Sequence, residues 1–477
     1  MKDNEIKIII GLEVHCQLNT KSKLFCGCSS DFQEDAPNTH VCPVCLGLPG
    51  ALPVLNKKAI EYALKVAKAL NCTIPEEGEF CRKNYFYPDL AKAYQITMGD
   101  KPLALGGYIE IEDDAGTPKV INMARIHVEE DPGRLVHMGN NERGHYTLVD
   151  YNRSGIPLIE MVTEPELSSP KEARRFLNKL RATLEYLDVF DPEKEGSLRV
   201  DANISIKGHE RVEIKNISSY KGVEKALTFE ITRQKNLIRR GGDIIRETRH
   251  FQEGKGTTIS ARSKENATDY RYFPEPDLPV IHVATWIKNI ALPELPDSRR
   301  NRFVQQYGLS INHARTLTGE LKLAEFFESV ANVGATLAAS WIADILIGEL
   351  NYRNMELCDV AAYTQEFKDL ITLIRDKKIT DNAGIEVLRV WLNNLHTGNI
   401  NEKPVEIVNR LGLSRESSES FRKTVEQILT TNSQAVSDYK SGKKNALNFI
   451  VGQVMKETKG KSDPREIHKM IETLVGD

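Results

Sequence analysis

The sequence predicts an α+β fold: an antiparallel-sheet cradle domain, then an all-helical domain, then a small helical tail. Three observations carry that expectation. Up to about residue 290 apolar and polar residues alternate along several segments, capped amphipathic helices lie between them, and beyond Asp297 nearly all the periodicity is helical. Strands mixed with helices that cover one face of a sheet make an α+β architecture. A chain of 477 residues also exceeds one core at roughly 100–200 residues per domain.

The first strand is "IKIIIGLEVHCQL", with Leu12, Val14 and Cys16 on one side and Glu13, His15 and Gln17 on the other. "ARIHVEED" repeats the pattern, setting Ile126 and Val128 against Arg125, His127 and Glu129. In "SLRVDANISI" the apolar set Leu198, Val200, Ala202, Ile204 and Ile206 opposes Arg199, Asp201 and Asn203, and "RVEIKNI" sets Val212 and Ile214 against Glu213 and Lys215. These read as half-buried antiparallel strands. A helix opens at Ser169 as N-cap, with Pro170 at its first position and Glu172 closing a capping box. Its buried face is Ala173, Phe176, Leu177, Leu180, Leu184 and Leu187. Two more helices run from about Asn56 to Leu70 and from Val223 towards Leu237.

Pro293 and Pro296 punctuate the end of the first region, and "TGNINEKP" breaks the helical one. The division expected is therefore an α+β cradle over residues 1–293, a helical domain over 294–405 and a tail over 406–477. In the tail Gly412 and Gly460 end helices, and Asp463, Pro464 and Glu466 start the last one.

Hydrophobic residues make up 40% and charged residues 27%, the balance of a folded globular chain. No apolar run approaches the ~18 residues that cross a bilayer, and the N-terminus has neither signal nor transit pattern, so a cytoplasmic protein is expected. A net charge of −3 does not exclude nucleic acid, which a local basic patch can bind. There is no G-x-x-x-x-G-K-[ST] loop, no G-x-G-x-x-G and no G-x-S-x-G elbow. If ATP binds, it does so without the common loop.

Of the eight cysteines, Cys26, Cys28, Cys42 and Cys45 crowd into "FCGCSSDFQEDAPNTHVCPVCLG". Two closely spaced pairs joined by a loop can converge on one tetrahedral ion, and zinc is the natural guest. A disulfide or a redox pair fits a reducing compartment less well, and Pro43 and Gly47 supply the turn of a zinc knuckle. With four sulfur ligands such a site has no open position, so it holds a loop and does no chemistry.

Glu13, His15, Glu129, Asp201 and Glu213 share the polar phase of their strands, and Glu130 follows where the strand is expected to end and could swing round. Carboxylates brought together repel unless a hard cation such as magnesium sits among them. The other reading is a solvated open face of a sheet. "RKNYFYPDLAKAYQI" and "DYRYFPEPDLPVI" interleave cations with aromatic rings, which suits either stacked unpaired bases or a packed hairpin. In the tail Lys440, Lys443, Lys444, Lys456, Lys459 and Lys461 face only Glu457, either a solvated helix face or a phosphate footprint.

Nine strings together resemble the B subunits of the tRNA-dependent amidotransferases, the GatB/GatE family in its B type. They include "GLEVHCQLNTKSKLFCGCS", "PNTHVCPVCLGLPGALPVLN", "HVEEDPGRL", "DYNRSGIPLIEMVTEP", "VEIKNISSYKGVEKAL" and "ALNFIVGQVMKETKG", and the likeness covers nearly the whole chain. It implies ATP-dependent conversion of misacylated Glu-tRNA(Gln), Asp-tRNA(Asn) or both to the amide. A partner amidase (A) subunit would supply ammonia from glutamine, and a small C subunit would complete a heterotrimer, with the cognate aminoacyl-tRNA synthetase a further partner. It implies magnesium at Glu13, His15, Glu129 and Glu130, catalytic roles there and at Asp201 and Glu213, fixed positive charge from Arg153 and Lys215, zinc on the four cysteines, and a tail that touches tRNA. Met98, Ala91 and Pro132 depart from the residues usual in the family, and Met98 offers its loop no polar contact. The E-type relative's inserted domain is absent, since "DYRYFPEPDLP" runs straight into the helical region. A zinc-stabilised RNA-binding protein without chemistry is the alternative, and only the acidic face separates the two.

Overall fold

Alternation becomes a sheet wherever the apolar phase finds a helix to cover it. The computed structural model describes residues 7–139, 146–194, 196–217, 219–263, 270–399, 402–415, 418–441, 443, 445–457 and 464–476. They fall into two compact units, Met1–Pro296 and Asp297–Asp477.

In the first unit the strands are β1 (Ile8–Gln17), β2 (Phe80–Asn84), β3 (Tyr94–Met98), β4 (Ala104–Leu105), β5 (Tyr108–Glu112), β6 (Pro118–Glu130) and β7 (Arg134–Met138), followed by β8 (Tyr146–Asp150), β9 (Pro157–Thr163), β10 (Leu198–Ile206), β11 (Val212–Ile217), β12 (Glu247–Gln252), β13 (Thr257–Ser263) and β14 (Phe273–Pro274). Twelve of them form one sheet in the order β13-β12-β11-β10-β1-β9-β6-β3-β2-β14, with β4 and β5 also paired to β6; β7 and β8 form a separate hairpin. All pairs are antiparallel except β11 with β12. The α+β expectation holds.

Helices α1 (Lys57–Ala69), α2 (Pro170–Tyr186) and α3 (Tyr220–Arg239) supply the cover. Asn56 caps α1 by accepting from the Lys58 and Ala59 amides, and Ser169 caps α2 by accepting from the Glu172 amide. The capping box at α2 is displaced by one residue. The Glu172 carboxylate accepts from the Ser168 amide and from Lys119, so it ties α2 to β6 and leaves the Ser169 amide. Helix α3 begins three residues before the expected Val223, because Ser219 caps the Gly222 amide. Phe176, Leu177, Leu180 and Leu184 of α2 are at most 1% exposed, in one core with Leu12, Val14, Ala202 and Ile214. Each such side chain contributes about 1.5–3 kcal/mol of burial free energy. Met98, expected in a loop, ends β3 and is buried in this core.

Among the described residues the elements of the second unit are all helical, again as expected. Phe303, Phe327, Phe367 and Trp391 are buried in it, with the rings of Phe303 and Phe327 centred 4.9 Å apart. A separate cluster of Val425, Leu447, Ile450, Val454, Ile467, Ile471 and Val475 holds the last helices together. Gly412 ends the helix Pro404–Leu411 in the left-handed conformation. Lys444, Lys459, Gly460, Lys461 and Asp463 lie outside the described residues.

Candidate active site

Strands β9 and β10 flank β1, although they lie some 140 to 190 residues further along the chain, and their register decides which side chains meet. His15 stands opposite Glu160 on one side and Arg199 on the other, and Glu13 stands opposite Asp201. One strand further, β6 sets His127 opposite Glu160 and Glu129 opposite Leu158. All of these share the face turned away from Leu12 and Val14. The result is a tight cluster: His15 Nε2 lies 3.4 Å from Glu13 Oε1, 3.6 Å from Glu129 Oε1 and 3.8 Å from Glu160 Oε2.

The electrostatics follow from burial and crowding. Burial first, and then the neighbouring Glu160, raise the Glu13 carboxyl above its usual range. Burial does the same to Glu129. For His15, burial alone would lower the pKa, but Glu160, Glu129 and Glu13 outweigh it and lift the imidazole to about 9. Burial likewise opposes ionisation of Glu160, yet the adjacent His15 holds it down to about 2. His127 goes the other way, to about 4, because burial dominates and Arg125 and Lys83 add to it. The cluster thus holds one imidazolium where it offers several carboxylates. Ligand atoms of Glu13, His15 and Glu160 lie within 4.8 Å of one another, and an octahedral magnesium at about 2.1 Å asks for donors roughly 3 Å apart. His15 Nε2 lies 3.4 and 3.8 Å from the Glu13 and Glu160 oxygens, close to that spacing, so the donor set fits a hard divalent cation.

Asp201 and Glu213 form a second group on the same face, joined by Lys215, whose Nζ is 2.7 Å from Asp201 Oδ2 and 3.5 Å from Glu213 Oε1. Thr248 also donates to Glu213 at 2.8 Å. Lys215 brings its positive charge to this second group, where it is already shared with two carboxylates.

Glu130 is not part of the cluster. Strand β6 runs through it, so it points to the opposite face from Glu129. There it accepts from Lys92 Nζ at 2.5 and 2.7 Å and from the Ile96 amide at 2.8 Å. The expected swing does not occur because that ion pair is buried. Arg153 is likewise committed elsewhere, donating to the Pro132 and Gly133 carbonyls at 2.9 and 2.7 Å, with Asp131 3.7 Å away. It braces the turn after β6.

Sequence reasoning missed Glu160, Asp131 and, as a site residue, His127. Asp131 is fully buried, accepting from Gln17 Nε2 at 2.7 Å and Arg199 Nη2 at 2.6 Å. The signal for Glu160 was a lone carboxylate inside the apolar "PLIEMV". Of the cation–aromatic stretches, part is packed hairpin: Arg82 pairs with Glu275 at 2.7 and 2.8 Å and lies over the Tyr94 ring, and Lys83 lies over Tyr270. Phe86 and Tyr87 stay exposed.

The sulfurs of Cys26, Cys28, Cys42 and Cys45 lie within 4.8 Å of one another, Cys42 and Cys45 at 3.8 Å. Zinc–sulfur bonds of about 2.3 Å in a tetrahedron put sulfurs roughly 3.8 Å apart, so the quartet fits zinc. The Cys42 amide points at Cys45 Sγ, 3.1 Å away, and the buried Lys23 ammonium lies 3.7 Å from the same sulfur. Gly47 closes the knuckle at φ +66°, where an added Cβ would also strike Lys92. This contact joins the cysteine loop to the Lys92–Glu130 pair, and a cleft of about 170 Å³ lies between them.

The half-buried His15 and the buried His127 give a direct check in the metal-free protein. Histidine-selective NMR titration is expected to place the His15 midpoint near 9 and the His127 midpoint near 4. Since His15 is raised, its stabilising contribution is complete below pH 6.5 and is lost as pH rises through 9; that of His127 is lost as pH falls from 6.5 through 4. Two midpoints near 6.5 would contradict the packing described.

Comparison with known proteins meets this geometry from outside. A model described as the GatB/GatE catalytic domain matches residues 8–288, and one described as the GatB domain matches residues 325–475. The chain is 64% identical over 476 residues to the B subunit of the aspartyl/glutamyl-tRNA(Asn/Gln) amidotransferase of Methanoregula boonei, covering 98% of each chain. It is 61% identical to that of Methanospirillum hungatei, covering 99% of each, and 52% identical to that of Methanosarcina mazei, covering 98% of each. A catalytic-domain match that spans the whole β1–β14 sheet, with likeness running end to end in these relatives, places the chain in the GatB/GatE family of amidotransferase subunits.

Proposed function

We propose that this chain is the transamidating subunit of an aspartyl/glutamyl-tRNA amidotransferase, acting on misacylated Glu-tRNA(Gln), Asp-tRNA(Asn) or both. The observation that carries it is the convergence of Glu13, His15, Glu129 and Glu160 from three strands at one point, with Asp201, Lys215 and Glu213 alongside. A carboxylate and ammonia do not condense unaided at neutral pH. The side-chain carboxylate of the tRNA-borne residue attacks the γ-phosphorus of ATP; an O–P bond forms, and ADP leaves with the electron pair of the broken bond. Ammonia then attacks the acyl carbon, phosphate leaves and the nitrogen gives up a proton. A partner amidase subunit supplies the ammonia, and a small third subunit completes the assembly.

The polar face has the parts this needs. Glu13, His15, Glu129 and Glu160 are the residues to hold magnesium, which when bound neutralises phosphate charge and brings it into line with the carboxylate. Lys215 holds Asp201 and Glu213 in place and sets a positive charge at the rim. The cysteine quartet is the zinc site that fixes the loop against β3 and Lys92. Residues 406–477 are the tail that meets tRNA, distinct from 294–405. No helix among the described residues is long and apolar enough to cross a membrane, and a cytoplasmic role is proposed.

In the complex assembled with its partner subunits, Glu13→Ala and Asp201→Ala are each expected to lower ATP-dependent amide formation by about 100-fold or more while tRNA binding stays nearly unchanged. Wild-type rates from either variant would defeat the reading. Metal analysis is expected to find one zinc per chain, lost in Cys45→Ser together with protease resistance of the 26–45 loop. A variant that keeps both its zinc and its protection would refute the tetrathiolate site.

A further inference from the structure

The charges on the polar face are laid out unevenly, and the unevenness points to a ligand. Around His15 three carboxylates crowd one imidazole. On the neighbouring side, the single buried carboxylate of Asp131 faces two guanidinium groups, Arg199 at 2.6 Å and Arg153 at 3.7 Å. Arg153 commits two of its three nitrogens, Nε and Nη2, to the Pro132 and Gly133 carbonyls. Arg199 does not. Asp131 holds one terminal nitrogen of Arg199, its buried Nε has no hydrogen-bond partner among the described residues, and the side chain as a whole remains 34% exposed. Its strand position is directly opposite His15, so the guanidinium stands beside the acidic cluster on the same face. A buried N–H without a partner is costly, and a planar fork with donors to spare is the group best matched to phosphoryl oxygens.

We propose that Arg199 is a catalytic residue that binds the non-bridging oxygens of the γ-phosphoryl group of ATP, with Asp131 as the positioning residue that aims it. This rests on the transamidation reading and names how its nucleotide is held. The acidic cluster takes the cation that accompanies the triphosphate, and Arg199 takes the phosphoryl oxygens left uncovered beside it. As the acyl oxygen–phosphorus bond forms and the bond to ADP breaks, the charge on those oxygens stays within reach of a fixed guanidinium. Gln17, which donates to the other oxygen of Asp131 at 2.7 Å, keeps that carboxylate from rotating.

The test uses the complete complex with magnesium. Wild type is assayed first for ATP-dependent amidation of misacylated tRNA; failure there removes the transamidation reading and is distinct from any outcome for the Arg199 variants. In an active complex, Arg199→Met is expected to cut kcat about 100-fold. It should weaken the non-hydrolysable ATP analogue AMP-PNP about tenfold while leaving the affinity for ADP unchanged. Arg199→Lys, which keeps the charge but not the fork, should recover part of the AMP-PNP affinity and little of the rate. Equal weakening of AMP-PNP and ADP would show a merely structural arginine, and no weakening of either would show one remote from the nucleotide. Both results overturn the proposal. If Arg199→Met fails to fold, the Lys variant decides by the same ratio of AMP-PNP to ADP affinity.

Discussion

Carboxylates from Glu13, Glu129 and Glu160 meet around His15 on adjoining strands, and like charges at that spacing in a half-buried place need a compensating positive charge. Without a metal the imidazole takes that role, which is why His15 is pushed up to about 9. Every other polar choice on the face is arranged around this demand. Lys215 neutralises Asp201 and Glu213 next door, and Arg199 and Arg153 neutralise Asp131. The sheet can tolerate so many charges because every satellite carboxylate lies against a cation, Asp201 and Glu213 sharing Lys215 and Asp131 facing two arginines.

Strand alternation is the device that makes this possible. A period of two residues puts the core on one side of β1, β6 and β10 and the charged groups on the other, so the same strand stabilises the fold and presents the chemistry. It also separates neighbours in sequence. Glu129 belongs to the cluster, whereas Glu130 turns to the opposite face, where Lys92 holds it beside the cysteine loop. Two adjacent glutamates thereby serve two different environments.

Much of this was legible in the sequence. Alternation in β1, β6, β10 and β11 correctly grouped Glu13, His15, Glu129, Asp201 and Glu213 on one face, and the spacing of the four cysteines anticipated their convergence. What stayed hidden depended on distant pairing. Glu160 sits among apolar residues and reads as part of a buried strand until β9 is seen to lie between β1 and β6. Arg153 lies in a loop with no periodicity to orient it, and the backbone carbonyls that capture it could not be foreseen. Glu130 was misplaced because the strand was expected to stop at the residue where it still pairs with Pro157.

The central proposal is that this face holds one hard cation at His15, among the carboxylates of Glu13, Glu129 and Glu160. Anomalous scattering from crystals of the complex grown with manganese in place of magnesium tests it most directly. The account predicts a single strong peak within bonding distance of those three carboxylates, lost in Glu160→Gln. Manganese bound elsewhere on the chain, with that position empty in an active complex, would contradict it.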